Sequence, residues 1–278
     1  MPVREVQSKD NARLKELRKA LAAPGRGARG LVGIEGQHLV EEALRAGLRV
    51  ATIFVAQGAE PVLEKLHVPA ETEILLLPKK LLASALATET PQPVAALVEP
   101  PDWTWAHIVG GRRSGAEIVV VLAGLQDPGN LGTIVRSAEA FGASGVVSLP
   151  GTVSAWNPKT VRASAGSVFR VPLVASSERE CFEELHEAGV KILATEARAA
   201  KTAERVDLTG PVAFVIGNEG NGVSASVAMK ADARIAISCP GPVESLNAAV
   251  AASVLLYEAE RQRAAVTERP AEHRGARR

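Results

Sequence analysis

Aromatic side chains are scarce, only 3% of the 278 residues, with a single Tyr among them. Any core must therefore be assembled from the Ala, Val, Leu and Ile that dominate a 46% hydrophobic fraction. Cysteine is scarcer still. Cys181 and Cys239 are too few for a disulfide framework and lack metal-ligand spacing, so no metal site is expected. No run of about 18 apolar residues is present to span a membrane, and the opening MPVREVQSKDNARLK has no apolar stretch of signal-peptide type. The net charge is only +1, which excludes a polycation. These absences lead us to expect a soluble, cytoplasmic protein without a membrane partner.

The charge is unevenly distributed. Residues 1–30 hold eight basic side chains against three acidic ones, a net +5, and residues 261–278 hold six against two, a net +4. Basic ends on a neutral body suit a polyanionic partner such as nucleic acid, although solvated tails would look the same.

The length suits roughly two domains. Leu14, Leu17 and Leu21 have helical spacing over 8–22, with Arg13, Lys15, Arg18 and Lys19 on the other face, and a Pro24-Gly25-Arg26-Gly27 break follows. Residues 1–29 thus read as a basic helical extension. Over 30–99, strand patterns at 31–34, 50–55, 74–77 and 94–98 alternate with helix patterns, which predicts a small α/β domain. Residues 100–117 fall in a Pro/Gly-rich stretch without periodicity, read as a linker into which Trp103 and Trp105 dock. The rhythm resumes over 118–264, with strands expected at 118–122, 145–149, 190–194, 212–216 and 234–237, and helices at 131–141, from Asn157-Pro158, and at 246–260. Residues 265–278 read as a basic, disordered tail. Such alternation predicts an α/β fold with a mostly parallel sheet, whose ligands sit at the C-terminal ends of its strands.

Three polar corners lie at those ends. In LAGLQDPGNLGTIVRSAEAFGASG, a strand breaks at Asp127-Pro128-Gly129-Asn130, with Asn130 where an N-cap belongs. Leu131, Ile134, Val135, Ala138 and Phe141 then form an apolar stripe, with Arg136 on the opposite side of that helix. Arginines there are ordinarily surface residues, but this one stands one and a half turns from a strand-end corner. In FVIGNEGNGVS, Gly217, Gly220 and Gly222 allow close backbone approach to a ligand. The spacing is neither a dinucleotide fingerprint nor a phosphate loop. In ISCPGPVESLNAAVAASVLLYEAE, a rigid Pro240-Gly241-Pro242 bend leads to Ser245 and Asn247, either of which could simply cap the final helix.

Taken together, the corners resemble the SpoU (TrmH) family of RNA ribose 2′-O-methyltransferases, in the SPOUT superfamily. The likeness rests on Asn130 and Arg136 in NLGTIVRSAEAFG, on Gly217, Glu219 and Gly220 in IGNEGNGVS, and on Ser245-Leu246-Asn247 in GPVESLNAAVAAS. A further segment, from Asn157-Pro158-Lys159 to Arg162-Ala163-Ser164-Ala165-Gly166, is similar too. The N-terminal IEGQHLVEEAL and TPQPVAALV resemble the family's RNA-substrate-binding domain, so the likeness runs from about residue 30 to 264. Cys239-Pro240 departs from the Pro-Met of many relatives and bears on the cofactor wall.

The resemblance implies a deep trefoil knot, against the usual avoidance of knots. It implies S-adenosylmethionine held bent by the corners at Gly217 and Gly241, with backbone contacts around Thr195, Gly217, Ile237 and Leu246. Arg136 would activate the hydroxyl, with Asn130, Glu219, Ser245 and Asn247 arranging the site. A guanidinium holds its proton too tightly to be a good base. Arg136 is therefore better suited to gripping a phosphate and stabilising a developing alkoxide, with Glu219 or a water taking the proton. The substrate would be RNA, ribosomal rather than transfer RNA on the two-domain layout.

The resemblance also implies a homodimer through the last helix. That helix is apolar on nearly every side, and its small residues at 248, 249, 251 and 252 would admit a partner, with Ala252 facing it. Two other classes stay in view. An inactive RNA-binding relative is disfavoured by the intact Asn130, Arg136, Glu219, Ser245 and Asn247, and a dinucleotide-dependent oxidoreductase by the missing G-x-G-x-x-G corner.

Overall fold

The computed structural model describes residues 3–22, 30–86, 88–110 and 117–267. It divides into one unit of Met1–Asp102 with Ser154–Arg170, and a second of Trp103–Val153 with Val171–Arg278. The Pro24–Gly27 break, part of the expected linker and the basic tail beyond 267 lie outside the described residues.

The first unit is built on a five-stranded mixed sheet. Its strands are β1 (Val3–Glu5), β2 (Val32–Glu35), β3 (Val50–Ala56), β4 (Glu73–Leu77) and β5 (Val94–Val98), in the order β1-β4-β3-β5-β2. β4 runs parallel to β1 and β3, whereas β5 is antiparallel to β3 and β2. The β-branched sequences VATIFVA and VAALV pack well on both faces of a buried strand, and β5 is buried at every position.

The described part of the expected extension, residues 3–22, belongs to this unit. Helix Ala12–Ala22 buries Leu14, Leu17, Ala20 and Leu21 in the same cluster as Phe54, Leu75 and Leu97. Its apolar i, i+3, i+7 stripe needed a sheet to cover it and found this one. Part of the basic face is neutralised locally. Arg4 and Arg13 both pair with Glu73, at 2.9 and 3.1 Å, and Lys15 pairs with Asp10 at 2.7 Å.

Residues 154–170, expected inside the second domain, pack in the first unit. Asn157 caps helix Pro158–Ala163, and Ala165 and Gly166 then take left-handed φ values of 50° and 92°. A Cβ on Gly166 would come within 2.7 Å of the Glu42 Cβ. The buried Glu42 carboxylate in turn accepts from Arg170 at 2.7 Å and from Arg45 at 3.1 Å.

The second unit carries a six-stranded sheet that is parallel throughout. Its strands are β6 (Ile118–Ala123), β7 (Gly145–Ser148), β8 (Leu173–Ala175), β9 (Lys191–Thr195), β10 (Val212–Gly217) and β11 (Ala233–Ile235), in the order β11-β9-β10-β6-β7-β8. This is the mostly parallel α/β sheet expected from the alternation. Part of the presumed linker belongs to it. Helix Trp105–Val109 places Ile108 in the core with Val119, Val121 and Val147, and Trp105 packs on that cluster.

The last helix runs from Ala248 to Thr267 and packs on helix Pro128–Ala140. Ser137 and Ser253 hydroxyls meet at 2.7 Å, and the Phe141 and Tyr257 rings meet edge-on at 5.9 Å. Ala252 is 1% exposed, so it faces the protomer's own interior and not a partner. The uncovered stripe is Val250, Val254 and Tyr257, exposed at 48%, 38% and 55%. No helix among the described residues is long and apolar enough to cross a membrane.

Candidate active site

Because β6 and β10 are parallel neighbours, the corners that follow them open at the same end of the sheet. The first corner begins at Gly124 and turns at once into helix Pro128–Ala140. Its N-cap is Asp127, not Asn130. The Asp127 carboxylate accepts from the Asn130 N–H at 2.8 Å, and Pro128 supplies the fixed φ of the first helical position. Asn130 therefore lies in the first turn, and its amide is released for contacts beyond its own helix.

The second corner uses that freedom. Glu219 Oε1 accepts from Asn130 Nδ2 at 3.0 Å and from the Asp127 N–H at 3.0 Å, while Oε2 accepts from the Gln126 N–H at 3.2 Å. Burial acts to raise this carboxyl's pKa. The Asn130 amide and the backbone N–H groups of Asp127, Glu219 itself and Gln126 outweigh it and hold the group below the usual carboxylate range. Glu219 is thus a fixed anion that binds the first corner to the second.

The third corner completes the chain of contacts. Asn247 Oδ1 accepts from the N–H groups of Ala249 and Val250, at 2.9 and 3.3 Å, so it caps the last helix. Its Nδ2 donates to Asn130 Oδ1 at 3.0 Å. Each amide has one workable orientation, because helix N–H groups can only donate and a carboxylate can only accept. The capping role and the site role of Asn247 are served by opposite ends of one side chain.

A cavity of about 800 Å³ opens beside this relay. It is lined by Thr195, Gly217, Ile237 and Leu246, the four positions expected around a cofactor, together with Glu219 and Ser245. Ser245 is exposed, on a stretch that forms neither helix nor strand. Arg136 is exposed on the outer face of its helix and makes no hydrogen bond or ion pair within the described residues. It does not line the cavity, and neither do Asn130 and Asn247.

Asp127 and Asn218 escaped the sequence reading, although the Asp-Pro pair at a helix start was an available signal for the first. Of the two cysteines, Cys239 lines the cavity. Burial, reinforced by Glu180, pushes the Cys181 thiol up to about 12, so it stays protonated and unreactive. No cluster of metal-ligating side chains occurs among the described residues.

Comparison with known proteins identifies related chains and folds. Residues 117–257 match the model of the SpoU rRNA Methylase family, and residues 11–96 match that of the MRM3-like substrate binding domain. The chain is 32% identical to the 23S rRNA (guanosine(2553)-2'-O)-methyltransferase RlmP of Bacillus subtilis, over 92% of this chain and 98% of that one. Among solved structures, it is similar to the SpoU methyltransferase AviRb from Streptomyces viridochromogenes in complex with AdoMet, with a TM-score of 0.80, 30% identity, and 91% and 98% of the two chains covered. An AdoMet-bound rRNA methyltransferase from Sinorhizobium meliloti gives a TM-score of 0.81, 31% identity, and 93% and 98% coverage. Matched in both units and along nearly the full length of these relatives, the chain belongs to the SpoU rRNA methylase family.

Proposed function

We propose that this chain is an S-adenosylmethionine-dependent methyltransferase acting on a ribose 2′-hydroxyl of ribosomal RNA. The observation that carries the reading is the relay from Asn247 through Asn130 to Glu219, set against the cavity. A space of about 800 Å³ is ample for a nucleoside-sized cofactor. Its lining offers what such a group needs: apolar Ile216, Ile237 and Leu246 for a base, and the glycine-rich loop 217–222, which lets backbone approach closely. The residues fit. When bound, the cofactor supplies an already activated methyl group, so the protein has only to position the hydroxyl and manage its proton.

Positioning of this kind is worth about 7–11 kcal/mol. Arg136 is exposed, presents a planar cationic fork and makes no ion pair among the described residues. It is therefore suited to hold a phosphate next to the reacting ribose and to stabilise the alkoxide as it develops. Glu219 is a poor proton acceptor, because its oxygens are taken by three donors and its carboxyl is held below the usual range. The proton then leaves to water, while Glu219 and Asn130 hold the corner on which the arginine helix is mounted. Labelled methyl should pass from S-adenosylmethionine to ribosomal RNA and map to one 2′-O position. Label found only in transfer RNA would replace the substrate, and no label in any RNA would remove the activity.

Assembly as a homodimer belongs to the same proposal. What supports it is the stripe of Val250, Val254 and Tyr257, which the rest of the protomer leaves in water. The helix that bears this stripe begins directly after Asn247, so the twofold contact would adjoin the relay. Val254→Glu is expected to halve the sedimenting mass and lower methyl transfer at least tenfold, through desolvation of a charge at the seam. A monomeric wild-type protein with full activity at micromolar concentration would overturn this. The proposal includes a cytoplasmic location, where ribosomal RNA is met, and the trefoil knot of the C-terminal chain.

A further inference from the structure

Asn218 stands between Gly217 and Glu219 and has no part in the reaction as set out above. Its Oδ1 accepts from the N–H groups of Gly220 and Asn221, at 2.9 and 3.3 Å, and its Nδ2 donates to the Gly124 carbonyl at 3.0 Å. Two donors on one side and an acceptor on the other leave one orientation for this amide. The backbone of the same residue closes the loop: Asn218 N–H donates to the Gly222 carbonyl at 3.0 Å, and Gly222 N–H to the Asn218 carbonyl at 2.9 Å. One residue thus shapes the loop 218–222 from within and also reaches across to the end of β6.

Gly124, the residue it reaches, is held at its N–H as well. Thr152 Oγ1 accepts from the Gly124 N–H at 3.1 Å and donates to the Leu122 carbonyl at 2.9 Å. Gly124 has a φ of +76°, and two and three residues later Gln126 and Asp127 aim their N–H groups at Glu219. A carboxylate collects two successive amides only if the turn leading to them starts in the right place and direction.

We infer that Asn218 is a positioning residue for methyl transfer. By fixing the Gly124 carbonyl, it sets the corner on which Asp127, Asn130 and the Arg136 helix are mounted. By fixing Gly220 and Asn221, it sets one wall of the cavity. The inference rests on the methyltransferase reading and adds to it a residue of the cavity wall whose side chain holds Gly124 on one side and Gly220 and Asn221 on the other.

The two halves of this role separate experimentally. Asn218→Asp keeps the acceptor for Gly220 and Asn221 but sets a carboxylate oxygen against the Gly124 carbonyl. It is expected to lower kcat about 10- to 100-fold, as a displacement of about 1 Å at a catalytic corner would. Affinity for S-adenosylhomocysteine, measured by calorimetry, should stay within about three-fold, because the cofactor-side bonds survive. Asn218→Ala removes both sides and should lower kcat and affinity together. Thr152→Val loosens Gly124 from the opposite side, so it should reproduce the kcat loss with cofactor affinity intact. Combined with Asn218→Asp, it should cost less than the sum of the two changes, since both act on one residue, Gly124.

Asn218→Asp with wild-type kcat, or with binding lost in step with transfer, overturns the inference. Should that variant fail to melt cooperatively, Thr152→Val decides by the same two measurements. A wild-type protein that neither binds S-adenosylhomocysteine nor transfers methyl is a separate result, which removes the methyltransferase reading itself.

Discussion

Arg136→Ala is expected to lower methyl transfer by about 10²- to 10³-fold, the usual cost of deleting one preorganised donor at a centre of developing charge. S-adenosylhomocysteine should bind nearly as before, because Arg136 does not line the cavity. The fold should be indifferent too. The side chain is exposed and makes no hydrogen bond or ion pair among the described residues, and surface changes of that kind shift stability by about 0.5 kcal/mol or less. Arg136→Lys keeps the charge but loses the planar fork, so it should fall between the two. Transfer assays on the wild type and both variants, with melting curves alongside, test this. Near-normal turnover by Arg136→Ala would show that the charge developing in the reaction is met elsewhere.

That role could be suspected from one helix turn, and the reason bears on how much of the molecule its sequence discloses. The stripe of Leu131, Ile134, Val135 and Ala138 places Arg136 outward, and the structure buries the first four and exposes the arginine. Strands β5 and β10 are legible for a similar reason, as apolar runs bounded by Pro and Gly. β1 and β8 are not, because three residues carry too little pattern and their pairing comes from neighbours far along the chain. The cap was misread at Asn130, although Asp127-Pro128 spelled it out. Nothing local announced that helix Ala12–Ala22 would lie in a core, or that 154–170 would pack with the first unit, since both depend on partners such as Leu97 and Glu42. The hydrogen bonds of Asn218 were invisible for the same reason: Gly124 is 94 residues away.

Gly217→Ala is expected to abolish detectable S-adenosylhomocysteine binding and to destabilise the fold. An added Cβ would lie 2.0 Å from the Gly222 carbonyl carbon and 2.2 Å from the Val223 nitrogen. Both are backbone atoms, held in place by the paired bonds between Asn218 and Gly222, so no side chain can swing aside to relieve the overlap. The loop must open, and with it go the cavity wall and the placement of Glu219. Overpacking of this kind costs about 1–3 kcal/mol, and more where backbone has to move. Gly222→Ala is the control. It has a φ of +66° but open space around its Cβ, so it should carry only the strain of about 1–2 kcal/mol that a left-handed alanine brings. Calorimetric titration of both variants tests the difference. A Gly217→Ala protein that binds the cofactor like the wild type would show the loop to be far softer than its backbone contacts imply.

The composition of the first unit has a consequence for how the protein is made. Residues up to Asp102 leave the ribosome first, but the unit is complete only when Ser154–Arg170 has followed. At synthesis rates of about 5–20 residues per second, Arg170 arrives roughly 3 to 14 seconds after Asp102. During that interval Glu42, whose carboxylate ends up buried, has Arg45 but lacks Arg170, and the surface awaiting Gly166 stands open. Strands β6 and β7 of the second unit are synthesised in the meantime. The two units are therefore finished in interleaved order, and a nascent chain stalled within that window would display a half-built first unit to any chaperone or protease nearby.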